Sequence, residues 1–213
     1  MHFISEDLEN YVANHSQQEP ELLVKLNKET HQKILQPRML SGHFQGRVLS
    51  MLSKIINPKS ILEIGTYTGY AALCLAEGLQ ENGTLDTIDI NEELEEIQQK
   101  YFDLSSYSNQ ITQHIGDAIE IIPTLNKKFD LVFIDADKEN YIHYFHLIVP
   151  LMNKGGIILS DNVLWSGKVL EEVKANDKST QILLDYNKII NEDERVETVL
   201  LPIRDGLTVT RVK

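Results

Sequence analysis

The sequence predicts an α/β fold: a doubly wound, mostly parallel, seven-stranded sheet with N-terminal helices and a C-terminal antiparallel hairpin. Three observations carry this. From about residue 58 onward, short apolar runs alternate with amphipathic stretches, the pattern of a parallel sheet covered on both faces. Before residue 58 the periodicity is helical. At the end, two β runs are joined by Arg204-Asp205-Gly206, a hairpin spacing.

In chain order, the lead should be helical from Ile4 to about Leu35, broken at Glu19-Pro20, where proline opens a new helix. Leu22, Leu23, Leu26 and Ile34 share one face. A third helix should run from about Gly42 to Ile56 and stop before Pro58, with Leu49, Leu52 and Ile56 as core. Strands are expected at Ser60–Ile64, Leu85–Ile90, Ile111–Ile115, Phe129–Ile134 and Gly156–Ser160. Helices are expected at Ala71–Gln80, Glu92–Leu104, in a short piece ending at Leu125, and at Tyr141–Met152 and Ser179–Asn191. The acids from Glu92 to Glu96 read as a solvated helix face. Val196–Ile203 and Leu207–Val212 form the hairpin, with Asp205-Gly206 as its turn. One domain over 1–213 is expected, a helical lead or lid over 1–57 and an α/β core over 58–213.

A chain of 213 residues with 42% hydrophobic content can bury a substantial core. Twenty basic against 32 acidic residues give a net charge of −12, which disfavours nucleic acid as a partner. Cys74 is the only cysteine, so neither an intrachain disulfide nor a zinc-thiolate cluster can form, and a reducing compartment fits. The first residues lack the basic-then-apolar order of a signal peptide, and no apolar run nears the roughly 20 residues of a membrane span. A cytoplasmic protein is expected. There is no phosphate loop and no nucleophile elbow, and His143 and His146 read as surface histidines without a third ligand.

In a doubly wound sheet, ligands bind beyond the carboxyl ends of the strands. After the first expected strand, Glu63-Ile64-Gly65 begins a G-x-x-x-G turn, which does not match a pyrophosphate cradle and carries an acid suited to another ligand. Asp89 ends the second strand, where an acid can accept both hydroxyls of a ribose. Gly116-Asp117-Ala118 follows the third, suited to an adenine edge or, more commonly, to capping the next helix. Asp135 after the fourth strand, with Asp161 and Asn162 after the fifth, supplies hard oxygens of the kind magnesium prefers. Lys138, beside that site, could act as a base.

Taken together, Glu63 to Tyr70, Thr87 to Asn91, Phe133 to Tyr141, Asp161 to Gly167 and Leu201 to Thr208 resemble the cation-dependent O-methyltransferases, the family of the catechol and caffeoyl-CoA enzymes, and the caffeoyl-CoA type and its bacterial relatives most. The resemblance implies the class I S-adenosylmethionine methyltransferase fold, which is Rossmann-like, and metal-dependent methylation of a hydroxyl on a small catechol-like or phenolic acceptor. It implies S-adenosylmethionine contacts from Ser41, Glu63, Gly65, Thr66, Ala71, Asp89, Asp117, Ala118 and Asp135. It assigns a divalent cation, magnesium before manganese or calcium, to Asp135, Asp161 and Asn162. Lys138 falls at the general base, with Asp135 beside it as catalytic, and Trp165 and Ser166 near the substrate ring. Ser166 stands where the plant enzymes have Asn; Lys168 to Ser179 should help select the acceptor; Arg38 and Arg47 are the nearby candidates for a coenzyme A tail. His43 lies near the expected lid. A homodimer is implied. Two alternatives stand beside this reading: methylation of a hydroxylated uridine in tRNA at the same site, and a non-catalytic S-adenosylmethionine-binding module.

Overall fold

The computed structural model describes residues 5–213; Ile4, expected to begin the first helix, lies outside them. The lead forms α1 (Glu6–Asn14), α2 (Glu21–Lys33) and α3 (Gly42–Ile56). Ser5 caps α1 by accepting from Leu8 N, and Pro20 occupies the N-cap of α2. Asn57, at φ 52°, ends α3 in the left-handed region.

The body contains β1 (Ser60–Ile64), α4 (Tyr70–Ala76), β2 (Thr84–Asp89), α5 (Glu95–Asp103), β3 (Ile111–Ile115) and α6 (Ala118–Ile121). It continues with β4 (Phe129–Ile134), α7 (Tyr141–Ile148), β5 (Met152–Asp161), α8 (Lys178–Glu192), β6 (Val196–Leu201) and β7 (Leu207–Val212). The strands make one seven-stranded sheet in the order β3-β2-β1-β4-β5-β7-β6. β1 to β5 are parallel, and β7 is antiparallel to both β5 and β6. The chain winds outward from β1 in one direction and from β4 in the other, so the crevice of a doubly wound sheet lies at their ends.

Apolar residues on both faces of the central strands need cover from both sides. Leu23, Leu26, Leu49, Leu73 and Phe102 close one face, and Phe145, Ile148, Leu183 and Tyr186 close the other. Cys74 is buried in the first of these layers, and Leu52 and Ile56 pack against it. The acids Glu92, Glu93, Glu95 and Glu96 are exposed, as are His143 and His146. Among the described residues no helix is long and apolar enough to cross a membrane.

Several boundaries differ from expectation. α4 stops at Ala76, short of Gln80, because Gly78 lies so close to the Ser53 backbone of α3 that a Cβ would overlap it, and Gln80 N turns to Pro58 O. α7 ends at Ile148: Pro150 allows only a 3₁₀ turn, and Met152 already pairs with Phe129, so β5 begins earlier than Gly156. The acidic helix is split, a 3₁₀ turn over Glu92–Leu94 capped by Asn91 preceding α5.

Candidate active site

Register brings the polar strand ends together. Ile64 pairs with both Ile88 and Ile134, and Ile134 pairs with Ser160, so the residues that follow stand side by side along one edge of the sheet. A cleft of about 2070 Å³ opens there. Gly65, Asp89, Asp117, Asp135, Asp161 and Trp165 line it, and Ser41 and His43 contribute from the lead. That volume exceeds the roughly 300–1,000 Å³ of a pocket for one small ligand, so two reactants fit.

On the β1–β3 side, Gly65 has φ 98°, and a Cβ there would collide with the Asp135 carbonyl; glycine lets the β1 turn lie against the end of β4. Asp89 is pinned at both oxygens, Oδ2 accepting from Tyr67 N at 2.6 Å and Oδ1 from Asn91 N at 2.8 Å. Burial pushes Asp89 above the usual carboxylate range, although those backbone N–H groups pull it down. Asp117 lines the cleft with Ala118, and its Oδ1 caps α6 by accepting from Ile119 N at 2.8 Å. Glu63, Thr66 and Ala71 stand outside the cleft lining. Glu63 is fully buried, with Oε2 accepting from Thr87 Oγ1 and Oε1 unpartnered. Burial pushes its carboxyl well up, and the charges of Asp135 and Asp89 add to that. The Thr66 hydroxyl is 2.6 Å from that of Thr87, and Ala71 is buried in α4.

On the β4–β5 side, Lys138 is not the solvated helix lysine that its position on the chain would most simply suggest. It is only 9% exposed, and its Nζ donates to Tyr141 Oη at 2.6 Å and to Asp135 Oδ1 at 3.3 Å. Tyr141 Oη in turn donates to the Asp161 carbonyl at 2.9 Å. Burial pushes Asp161 up, and the neighbouring Asp135 pushes it further. Its Oδ1 accepts from Asn162 N at 2.9 Å and its Oδ2 from Gln45 Nε2 at 2.6 Å. Asp161 is buried and Asp135 half-buried; two neighbouring acids that repel each other call for a positive charge between them, and Asn162 adds a neutral oxygen, so the donor set suits a hard dication. Among the described residues no three His, Cys, Asp or Glu side chains group to hold a metal; this set has two carboxylates and an amide.

Trp165 and Ser166 line the cleft on a loop where Asn162, Trp165 and Ser166 all have positive φ. The hairpin turn holds that loop: Asp205 accepts from Ser166 N at 2.5 Å and from Leu164 N at 2.9 Å. Asp205-Gly206 is therefore more than a turn. Lys168 Nζ lies 5.8 Å from the centre of the Trp165 ring, and Leu170 is exposed. Arg38 lines the cleft, but Arg47 does not; it is buried against Glu77 and is unavailable to a coenzyme A tail. His43 reaches the cleft with Nε2 2.7 Å from Gln17 O. Gln45 and Tyr141, which hold Asp161 and Lys138 from behind the cleft lining, and Asp137, which lines it, are not singled out by the sequence. Asp137, which accepts from Tyr144 Oη at 2.6 Å, stands in the same run as Asp135 and Lys138 and was the most findable.

A family profile described as O-methyltransferase matches residues 13–213. Caffeoyl-CoA O-methyltransferase 5 of Nicotiana tabacum is 35% identical over 204 residues, covering 91% of this chain and 85% of that protein. The O-methyltransferase TomG of Streptomyces achromogenes, solved in complex with S-adenosylmethionine, superposes with a TM-score of 0.90 at 26% identity, covering 99% of this chain and 100% of that one. The S-adenosylhomocysteine-bound methyltransferase PaMTH1 of Podospora anserina gives 0.89 at 28% identity, covering 98% and 94%.

Proposed function

The chain belongs to the O-methyltransferase family, and from that premise we propose that it moves a methyl group from S-adenosylmethionine to one hydroxyl of a small catechol-like acceptor, with a divalent cation assisting. The observation that carries the reading is the meeting of Lys138, Asp135 and Asp161 in a shielded corner of the cleft. S-adenosylmethionine supplies a methyl group already activated on a sulfonium. The cation, magnesium before manganese or calcium, supplies a positive charge that makes a neighbouring hydroxyl more acidic. Asp135, Asp161 and Asn162 would hold it.

The protein's own side chains do the rest. Lys138 Nζ takes the proton of the acceptor hydroxyl, held for this by Tyr141 Oη and Asp135 Oδ1. Asp89, fixed by two backbone N–H groups, accepts from ribose hydroxyls. Ser41, Gly65, Asp117 and Ala118 border the rest of the nucleoside, while Glu63, Thr66 and Ala71 support the turn behind it. Trp165 and Ser166 flank the acceptor ring, and holding both reactants aligned supplies much of the acceleration. A homodimer fits as well, since β6 is an open sheet edge that exposes Val199 and Leu200. The test is transfer of labelled methyl to caffeic acid and other catechols, with magnesium and then with a chelator. Magnesium-dependent transfer is expected, and equal turnover in excess chelator would sink the metal role.

A further inference from the structure

Gln45 lies in α3, 116 positions before Asp161, and is 1% exposed. A buried amide with both ends occupied is costly to place and informative where found. Its Nε2 donates to Asp161 Oδ2 at 2.6 Å, and its Oε1 accepts from Arg204 Nη1 at 2.8 Å. A guanidinium only donates. The amide end facing Arg204 must therefore be the oxygen, and the end facing Asp161 must be the N–H. Arg204 thus fixes the direction of the Gln45 amide, and Gln45 fixes the Asp161 carboxylate.

With Asn162 N on Oδ1 and Gln45 on Oδ2, each oxygen of Asp161 has one proton donor and keeps lone-pair capacity for a ligand. The same Nη1 of Arg204 also meets the carbonyls of Leu40, at 3.3 Å, and of Ser41. Arg204 sits in the connection between β6 and β7 at φ 48°. One guanidinium therefore ties the hairpin to the lead at the lip of the cleft and reaches Asp161 through a single side chain.

We propose that Gln45 is a positioning residue for Asp161, oriented by Arg204, and that it sets how well the Asp135–Asp161–Asn162 set takes a divalent cation. This rests on the metal reading above. Partners that orient a ligating side chain typically contribute about 10–100-fold in metal affinity. Gln45→Met keeps length and burial and removes both hydrogen bonds.

The experiment is Mn²⁺ binding to the full chain by electron paramagnetic resonance, with S-adenosylhomocysteine binding by calorimetry and circular dichroism alongside. Gln45→Met is expected to weaken Mn²⁺ by about 10–100-fold while S-adenosylhomocysteine affinity and the dichroism spectrum stay as in the unaltered protein. Arg204→Met should weaken Mn²⁺ less, and the double variant should lose no more than Gln45→Met alone, because both act through one carboxylate. Mn²⁺ affinity unchanged in folded Gln45→Met, or losses that simply add, would overturn the proposal. Should Gln45→Met not fold, Arg204→Met decides: weakened Mn²⁺ supports it and unchanged Mn²⁺ overturns it. If the unaltered protein binds no Mn²⁺, the metal reading itself falls and this inference with it. If it binds Mn²⁺ and the variants match it, only this inference falls.

Discussion

In the proposed mechanism Lys138 and Asp161 divide the work of the corner, and single substitutions should separate them. Lys138 is held by Tyr141 and Asp135 and lines the cleft. Lys138→Met should lower kcat by about 10²–10⁴-fold, the usual worth of a general base, with little change in S-adenosylhomocysteine affinity by calorimetry. An unaltered kcat would remove Lys138 from the reaction. Asp161→Ala should abolish magnesium-dependent turnover and leave most cofactor binding intact, because Asp89 and the β1–α4 turn lie on the other side of the cleft. Equal loss of cofactor binding would mean that the substitution disturbs the whole cleft and not the corner alone. The sequence exposed Asp135 and Asp161 because each follows directly on an expected strand, and Lys138 because it lies three residues after Asp135. Gln45 gave no such sign: 116 positions separate it from Asp161, and on α3 it reads as one polar residue among many. Tyr141 was hidden differently, read as the first residue of a helix when its hydroxyl holds both Lys138 and the Asp161 carbonyl.

At the level of elements, the α3–α4 contact carries an ionic cluster that should report on acid stability. Glu77, at the end of α4, accepts from Arg47 at 2.8 Å, Ser50 at 2.7 Å and Lys54 at 2.7 Å, all on α3. Burial pushes Glu77 up, but these donors outweigh it and hold the carboxyl at about 2, below the ordinary 4.5. A carboxyl lowered by folding stabilises in full above its unfolded value and loses that contribution as pH falls from 4.5 through about 2. Glu77→Gln should cost about 2–3 kcal/mol near neutrality, measured by urea unfolding. The difference from the unaltered protein should shrink as pH approaches 2; a constant difference would show that packing, not charge, is lost. Arg47 had been a candidate for a ligand tail, and only the packing of α3 on α4 reveals its partner. The strands were legible because alternating apolar runs with short turns leave few options. The ends of α4 and α7 were not, since they depend on a backbone contact to Ser53 and on a sheet pairing at Phe129.

For the molecule as a whole, the cleft joins parts that are distant in sequence: α1, the segment before α3, five strand ends and the hairpin turn all line it. A ligand there should stabilise the chain as one unit. Saturation at 100 times Kd adds about 2.7 kcal/mol, which for a domain of this size corresponds to roughly 5–10 °C in Tm. S-adenosylhomocysteine should therefore raise a single cooperative transition by that order in a calorimetric scan. Magnesium should add a further increment that chelator removes. Asp161→Ala should keep the first increment and lose the second, because Asp89, proposed for the ribose, and Asp161 stand at different strand ends. The number of transitions also tests the single domain expected over residues 1–213. If residues 1–57 melted apart from 58–213, the nucleoside increment would appear in only one of two steps. The ties from Arg204 to Leu40 and Ser41, and from Tyr70 to Glu19 at 2.5 Å, argue for one. A magnesium increment that survives Asp161→Ala would put the cation elsewhere on an acidic surface of net charge −12, and the corner would lose its role.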